Sequence, residues 1–171
     1  MSSYNQNTYL KRVLVLFYGV FLFLGNPVLA QEMPPRPIAL QVIIGQGLIF
    51  GAFYSGTTGG TVTVSSTGSR SVTGSIIPVT LGSAPAPAII QVKGNIGTLV
   101  TISNGTDVSL TGSSAGSIVL HLESSYPTSP FIINTSSWMD IRIGGTLTVG
   151  VPGANPPGSY NGTFNVTFIQ Q

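Results

Sequence analysis

An all-β sandwich or barrel is the fold class this sequence predicts, and three observations carry the prediction. Beyond residue 30 the helix formers Leu, Glu, Lys and Ala are scarce, and Val, Ile, Thr, Phe and Tyr supply the apolar content. Apolar residues recur at every second position in short runs. Gly, Pro, Asn or Ser closes each run within about a dozen residues. Ten strands follow in order. Residues 38–44, IALQVII, place Ile38, Leu40, Val42 and Ile44 on one parity, and 48–53, LIFGAF, is a short apolar run broken by Gly51. Residues 60–65 and 71–75 flank the turn SSTGSR, with Val62 and Val64 alternating against Thr61 and Thr63 and Val72 on the same parity. Runs at 88–93, 98–103, 108–111 and 117–123 follow, and 139–149 is the longest before the end. The last run, 159–170, places Tyr160, Gly162, Phe164, Val166 and Phe168 on one face and Asn161, Thr163, Asn165 and Thr167 on the other.

Two stretches are compositionally unusual. Residues 55–75 hold 17 Ser, Thr or Gly in 21 positions, yet the valine alternation argues for a solvent-exposed hairpin rather than a linker. The hexapeptide GGTVTV at 59–64 recurs as GGTLTV at 144–149, two glycines each time releasing into an alternating strand. GQGLIFG at 45–51 lacks the full nucleotide-binding glycine spacing and precedes no helix, so a turn or bulge is expected there.

The first thirty residues read as a cleaved secretory signal peptide: Lys11 and Arg12, an uncharged apolar run from Val13 to Leu24, and a small-residue ending at Ala30. That run spans only about 18 Å as helix, short of the roughly 30 Å hydrocarbon core. Membrane contact is therefore expected to be transient, through the signal peptide alone. The expected organisation is 1–30 signal peptide, 31–37 an extended leader with three prolines, and 38–171 one domain. Without the signal peptide, Arg36, Arg70, Lys93 and Arg142 balance Glu32, Asp107, Glu123 and Asp140. No basic patch exists for a nucleic acid, and so sparsely charged a surface tolerates self-association. There are no cysteines, so an exported chain must hold together by burial alone.

Catalytic chemistry finds few residues to work with. With His121 the only histidine and no cysteine, neither a His/Cys zinc site nor a thiol nucleophile is available. His121 and Glu123 are expected as a polar pair on the exposed face of one strand, and Asp140 with Arg142 as a surface ion pair. Trp138 is expected at the core or rim. The expectation is a non-enzymatic protein with no catalytic, metal or cofactor residues. Asn104, Asn134, Asn161 and Asn165 head glycosylation sequons, which in a chain this rich in Asn, Ser and Thr arise by chance.

The succession LIFGAF, GGTVTVSSTGSRSVTGSIIPVTLGSAPAPAIIQVKGNIGTLVTIS, VSLTG, IRIGGTLTVG and PPGSYNGTFNVTFIQQ closely resembles the bacterial domain family DUF4402, from about residue 38 to the end. The GGTLTVG and GSYNGTFNVTF blocks are its most specific parts. The resemblance implies export by a bacterium, to the cell surface, the medium or the periplasm, and an immunoglobulin-like or pilin-like β-sandwich in a fimbria-like, structural or adhesive role. It transfers no catalytic residues, and this chain lacks the cysteine pair of many chaperone-usher pilins.

Two functions are thus expected to compete. In one, a surface subunit associates with itself or with other surface subunits through strand edges, using Ile38, Leu40, Val42 and Ile44 or Phe164, Val166 and Phe168. In the other, a monomeric secreted module binds a ligand such as surface polysaccharide through Tyr54, Tyr126 and Trp138 gathered at one end of the sandwich.

Overall fold

The computed structural model describes residues 39–42 and 46–171, with side chains from residue 46 onward. The expected signal peptide, the leader, Ile38 and Ile44 lie outside the described residues. The described residues form no helix and thirteen strands. They are β1 (Ala39–Val42), β2 (Ala52–Ser55), β3 (Gly60–Val64), β4 (Arg70–Val72), β5 (Ile76–Val79), β6 (Ala88–Lys93) and β7 (Leu99–Asn104). After these come β8 (Val108–Gly112), β9 (Ser117–Tyr126), β10 (Phe131–Ile132), β11 (Met139–Val149), β12 (Tyr160–Asn161) and β13 (Val166–Gln170).

One layer is an eight-stranded antiparallel sheet in which β11 is the common member. Its first half, Met139 to Ile143, pairs with β6, its second half, Gly145 to Val149, pairs with β3, and β9 runs along its other edge. The sheet continues outward through β1 beyond β6, β4 beyond β3, and β8 then β12 beyond β9. The other layer comes in two pieces, β10-β7-β13 and the antiparallel pair β2-β5. Alternate residues from both layers meet in one cluster, with Val62, Val64, Val92, Val100, Ile133, Ile141 and Ile143 fully enclosed. The arrangement is a β-sandwich.

The repeated hexapeptide explains why β11 can serve several neighbours. Its two copies are hydrogen-bonded to each other, antiparallel, in a register centred on Val62 opposite Leu147, so that Thr63 faces Thr146 and Val64 faces Gly145. Valine and leucine enter the core while threonines line the outer face, where the Thr63 and Thr146 hydroxyls lie 2.8 Å apart. The Thr146 hydroxyl donates to Glu123 Oε1 at 2.6 Å, which leaves Thr63 to donate to Thr146. Each glycine pair ends against the other copy. A Cβ on Gly59 would lie 2.4 Å from the Val149 carbonyl oxygen, and one on Gly144 would lie 2.4 Å from that of Val64.

Several expectations are corrected. The hairpin at 55–75 is present as β3–β4, but it is not a solvent-exposed one: Val62 and Val64 are wholly buried because β3 is also bonded to β11 and lays its valine face on the core. The run 48–53 is split, since Gly51 takes φ +72° and strand pairing begins only at Ala52. Ile49 makes a single bridge to Ala86 before it. β9 runs to Tyr126 rather than Glu123. Between Leu122 and Ser125 it places two residues against the single Gly144, a bulge that switches its buried positions from Ile118, Leu120 and Leu122 to Ser125. The final run is two strands: β12 belongs to the large sheet and β13 to the small one, with residues 162–165 crossing between layers. β5 and β10 were not expected, being too short to show alternation.

Gly59→Ala sets a Cβ against backbone at φ +70°, so unfolding stability falls by about 2 kcal/mol or more, a drop in Tm of roughly 5–10 °C. Gly153→Ala, with nothing within 4 Å and no positive φ, changes Tm little. Thermal denaturation followed by circular dichroism checks both.

Candidate strand-accepting groove

The second layer is in two pieces, and a partly open groove of about 720 Å³ lies over the large sheet, with buried core residues beneath it. Its floor is Leu110 of β8, Ile118 and Leu120 of β9, and Leu147 and Val149 of β11. One wall is the chain from Leu48 through β2 to Ser55; the other runs from Ser159 to Phe164, through β12 and the crossing that leads to β13. No Asp, Glu, Lys or Arg lines it.

Each wall holds an edge strand: β2 is paired only to β5, which contributes nothing to the lining, and β12 only to β8, while Ile49 is bonded to Ala86 ahead of β2. An edge with free N–H and C=O groups beside an apolar floor is the arrangement that accepts an added strand.

Side chains elsewhere hold the walls. The Arg70 guanidinium, at the end of β4, donates through Nη1 to the carbonyls of Phe50 and Ala52, at 3.1 Å each, and so ties the first wall to the large sheet. A Cβ at Gly51 would strike that nitrogen, at 2.8 Å. On the opposite wall the Tyr160 hydroxyl donates to the Pro156 carbonyl, 2.7 Å away and four residues upstream, a bond like that of the tyrosine corner of immunoglobulin-type sandwiches. Its ring lies over Gly112, where a Cβ would meet Tyr160 carbon at 2.8 Å. At one end, Ser55 Oγ donates to the Gly150 carbonyl at 3.0 Å. There Asn155 also accepts from the Gly150 amide and donates to the Ser117 carbonyl, fastening the turn after β11 to the start of β9.

The sequence-derived candidates fall in different places. Leu40 and Val42 lie on β1, in register with Val92 and Ile90 of β6 at an end of the large sheet. Phe164 lines the groove; Val166 and Phe168 are half-buried on β13 and pack on the core, within the same chain. The three aromatics do not gather. Tyr126 stands opposite Arg142, and Trp138 adjoins the start of β11. Tyr54 neighbours Ser55, which is bonded to Gly150, about 26 Å further along β11 at ~3.3 Å per residue. Arg70, Asn155 and the floor residues were not singled out from sequence. Leu110, Ile118 and Leu120 show only ordinary strand alternation, and nothing local marks an arginine that bonds two carbonyls twenty residues away.

The charged residues on the outer face take partners other than those expected. Asp140 accepts from Gln91 Nε2 at 3.0 Å rather than pairing with Arg142, because a directly opposed cross-strand residue is nearer than one two positions along the strand. His121 Nδ1 meets Asp107 Oδ1 at 2.7 Å, while the bulge turns Glu123 toward Thr146. The Asp107 hydrogen bond, then its charge, with a smaller contribution from Glu123, raises the His121 pKa.

Two measurements follow from these contacts. Arg70→Met removes two bonds from a charged donor, lowering stability in urea by about 1–3 kcal/mol, and Tyr160→Phe costs about 1 kcal/mol. By NMR, His121 titrates above 6.5, and Asp107→Asn moves the midpoint back toward it. Since the folded value is the raised one, the pair's stabilisation is complete below 6.5 and disappears as pH rises through the folded midpoint.

Comparison with curated proteins and with solved structures returns no match. The family model described as a domain of unknown function, DUF4402, matches residues 40–169, which take in β2 to β12 entire, all but the end residues of β1 and β13, and both walls of the groove. The chain belongs to the DUF4402 family.

Proposed function

We propose that this protein is a non-enzymatic, exported surface subunit of bacteria that assembles by adding a strand to the edges of its sandwich. The observation that carries the reading is the groove: an apolar floor formed by the large sheet, between walls that contain the edge strands β2 and β12, each paired in a sheet on one side. A strand laid there would find main-chain partners at the outer edges of β2 and β12, over floor residues Leu110, Ile118, Leu120, Leu147 and Val149 that the fold already buries. The composition supports the same role. Four cations and four anions after residue 30 leave little charge repulsion between copies. Recognition of a sugar by a single aromatic platform has less support, since Tyr54 lies far along β11 from Tyr126.

The full chain, exported by a bacterial host and recovered, is expected to form oligomers or filaments, seen as mass in solution and by electron microscopy. Ala52→Arg, which places a charged side chain in the wall, gives monomers with an unchanged circular dichroism spectrum. A wild-type chain that stays monomeric at every concentration overturns the proposal.

A further inference from the structure

We infer that β13 is a separate association edge, which pairs antiparallel with β13 of a second copy of this chain about a two-fold axis at Phe168. β13 lines no part of the groove, so the inference stands whether or not a strand is added there. The strand is bonded to β7 alone. The Asn165 carbonyl accepts from the Gly105 amide and the Gln171 amide donates to the Leu99 carbonyl, at 2.9 Å each, so residues 165, 167, 169 and 171 turn their backbone groups toward β7. Val166, Phe168 and Gln170 turn theirs outward, and among the described residues none of these N–H and C=O groups has a protein partner.

Sheets commonly blunt such an edge with a charge, a proline or a short strand. Here β4 carries Arg70, β5 carries Pro78, and β10 and β12 have two residues each. β13, VTFIQ, is five residues long with no charge, proline or glycine, and β7 beside it is uncharged as well. Its core side is also incompletely covered: Val100 on β7 is fully buried, whereas Val166 and Phe168, packed on the same core, are only half-buried. On the outer side Ile169 is exposed, diagonal to the exposed Leu99.

A second copy fits this edge because the edge is its own complement. With Phe168 opposite Phe168, Val166 faces Gln170 at both ends, and the outward-turned residues of the two strands exchange about six main-chain hydrogen bonds. Each Phe168 then closes the open flank of the other, and no like charges meet. The small sheet becomes continuous through two sandwiches. A contact of one short strand per copy falls well below the roughly 800 Å² per partner of a stable interface, so the pair is transient and leaves the mass of dilute protein monomeric.

Covalent trapping in the full Ala52→Arg chain, where the groove takes no part, tests this. The protein has no cysteine, so any disulfide joins two copies. Phe168→Cys sets two sulfurs at the axis with Cα atoms about 5.5 Å apart, and mild oxidation gives dimers at least about tenfold faster than Gly153→Cys, in an exposed turn. Val166→Cys and Gln170→Cys cross-link faster mixed than either does alone. Gln170→Pro added to Phe168→Cys lowers trapping to the Gly153→Cys rate with an unchanged circular dichroism spectrum, because it removes only an outward N–H. Amide exchange by NMR reads the same edge without a cysteine, should Phe168→Cys fail to fold. In dilute protein Val166, Phe168 and Gln170 exchange fast and Thr167 and Ile169 slowly, and raising the concentration slows the first three. Trapping no faster than at Gly153, Val166→Cys alone matching the mixture, or Val166 and Phe168 amides already protected in dilute protein each overturn the inference and leave the groove reading standing.

Discussion

The structure depends on the pairing of two nearly identical hexapeptides. GGTVTV and GGTLTV lie antiparallel about the Val62–Leu147 pair, and this arrangement lets one strand, β11, carry three others. Side-chain period and glycine placement act together in it. Alternation sends Val62, Val64, Leu147 and Val149 into the core, and the double glycines let each strand begin where the other ends with no Cβ between backbones. The register also places Thr63 opposite Thr146, whose hydroxyls bond across the outer face rather than compete for water, while each valine end faces a glycine of the other copy. With no disulfide available, this packing and its hydrogen bonds carry the stability of the large sheet.

That strength in one layer contrasts with the other. The segment before β2 is turned at Gly51 and drawn toward the large sheet by Arg70, while the C-terminal run leaves the large sheet after Asn161 and reaches β7 only at Val166. Each path is locally well bonded: among the described residues, no buried side-chain nitrogen or oxygen lacks a partner. The opening between them therefore follows from how both ends are anchored. Arg70 and Tyr160 hold opposite walls through single side chains, so the width of the groove is set by contacts outside it.

What was legible in the sequence followed strictly from period. β6 and β11 have the boundaries their alternation predicts, and the all-β class is correct. Burial was harder to read, because a run of Ser, Thr and Gly around two valines resembles a surface hairpin until a third strand is placed beside it. The extent of β9 was hidden by a bulge, which interrupts the period used to find strands. The last run kept its alternation through residues 162–165 although the pairing partner changed, and alternation reports which face is inward rather than which sheet is joined. The groove had no local signature at all. Its floor comes from β8, β9 and β11, whose alternation is that of ordinary core strands, and the opening above them depends on where β2 and β12 are placed.

That opening gives the low charge of the chain a structural meaning. Where surfaces meet through ion pairs, specificity comes from charge pattern; here the groove has no charged residue, and the described ion pair, His121 with Asp107, stands exposed on β9 and the approach to β8. For the strand addition proposed above, selectivity would come from shape and main-chain direction rather than charge, with no bulk where Gly162 approaches Leu110. The outer face, with hydroxyls bonded to one another and to Glu123, offers few unmet donors to an incoming chain. The outer edges of β2 and β12 lie instead beside the groove, each paired in a sheet on one side, and these edges are what the proposed strand addition would use.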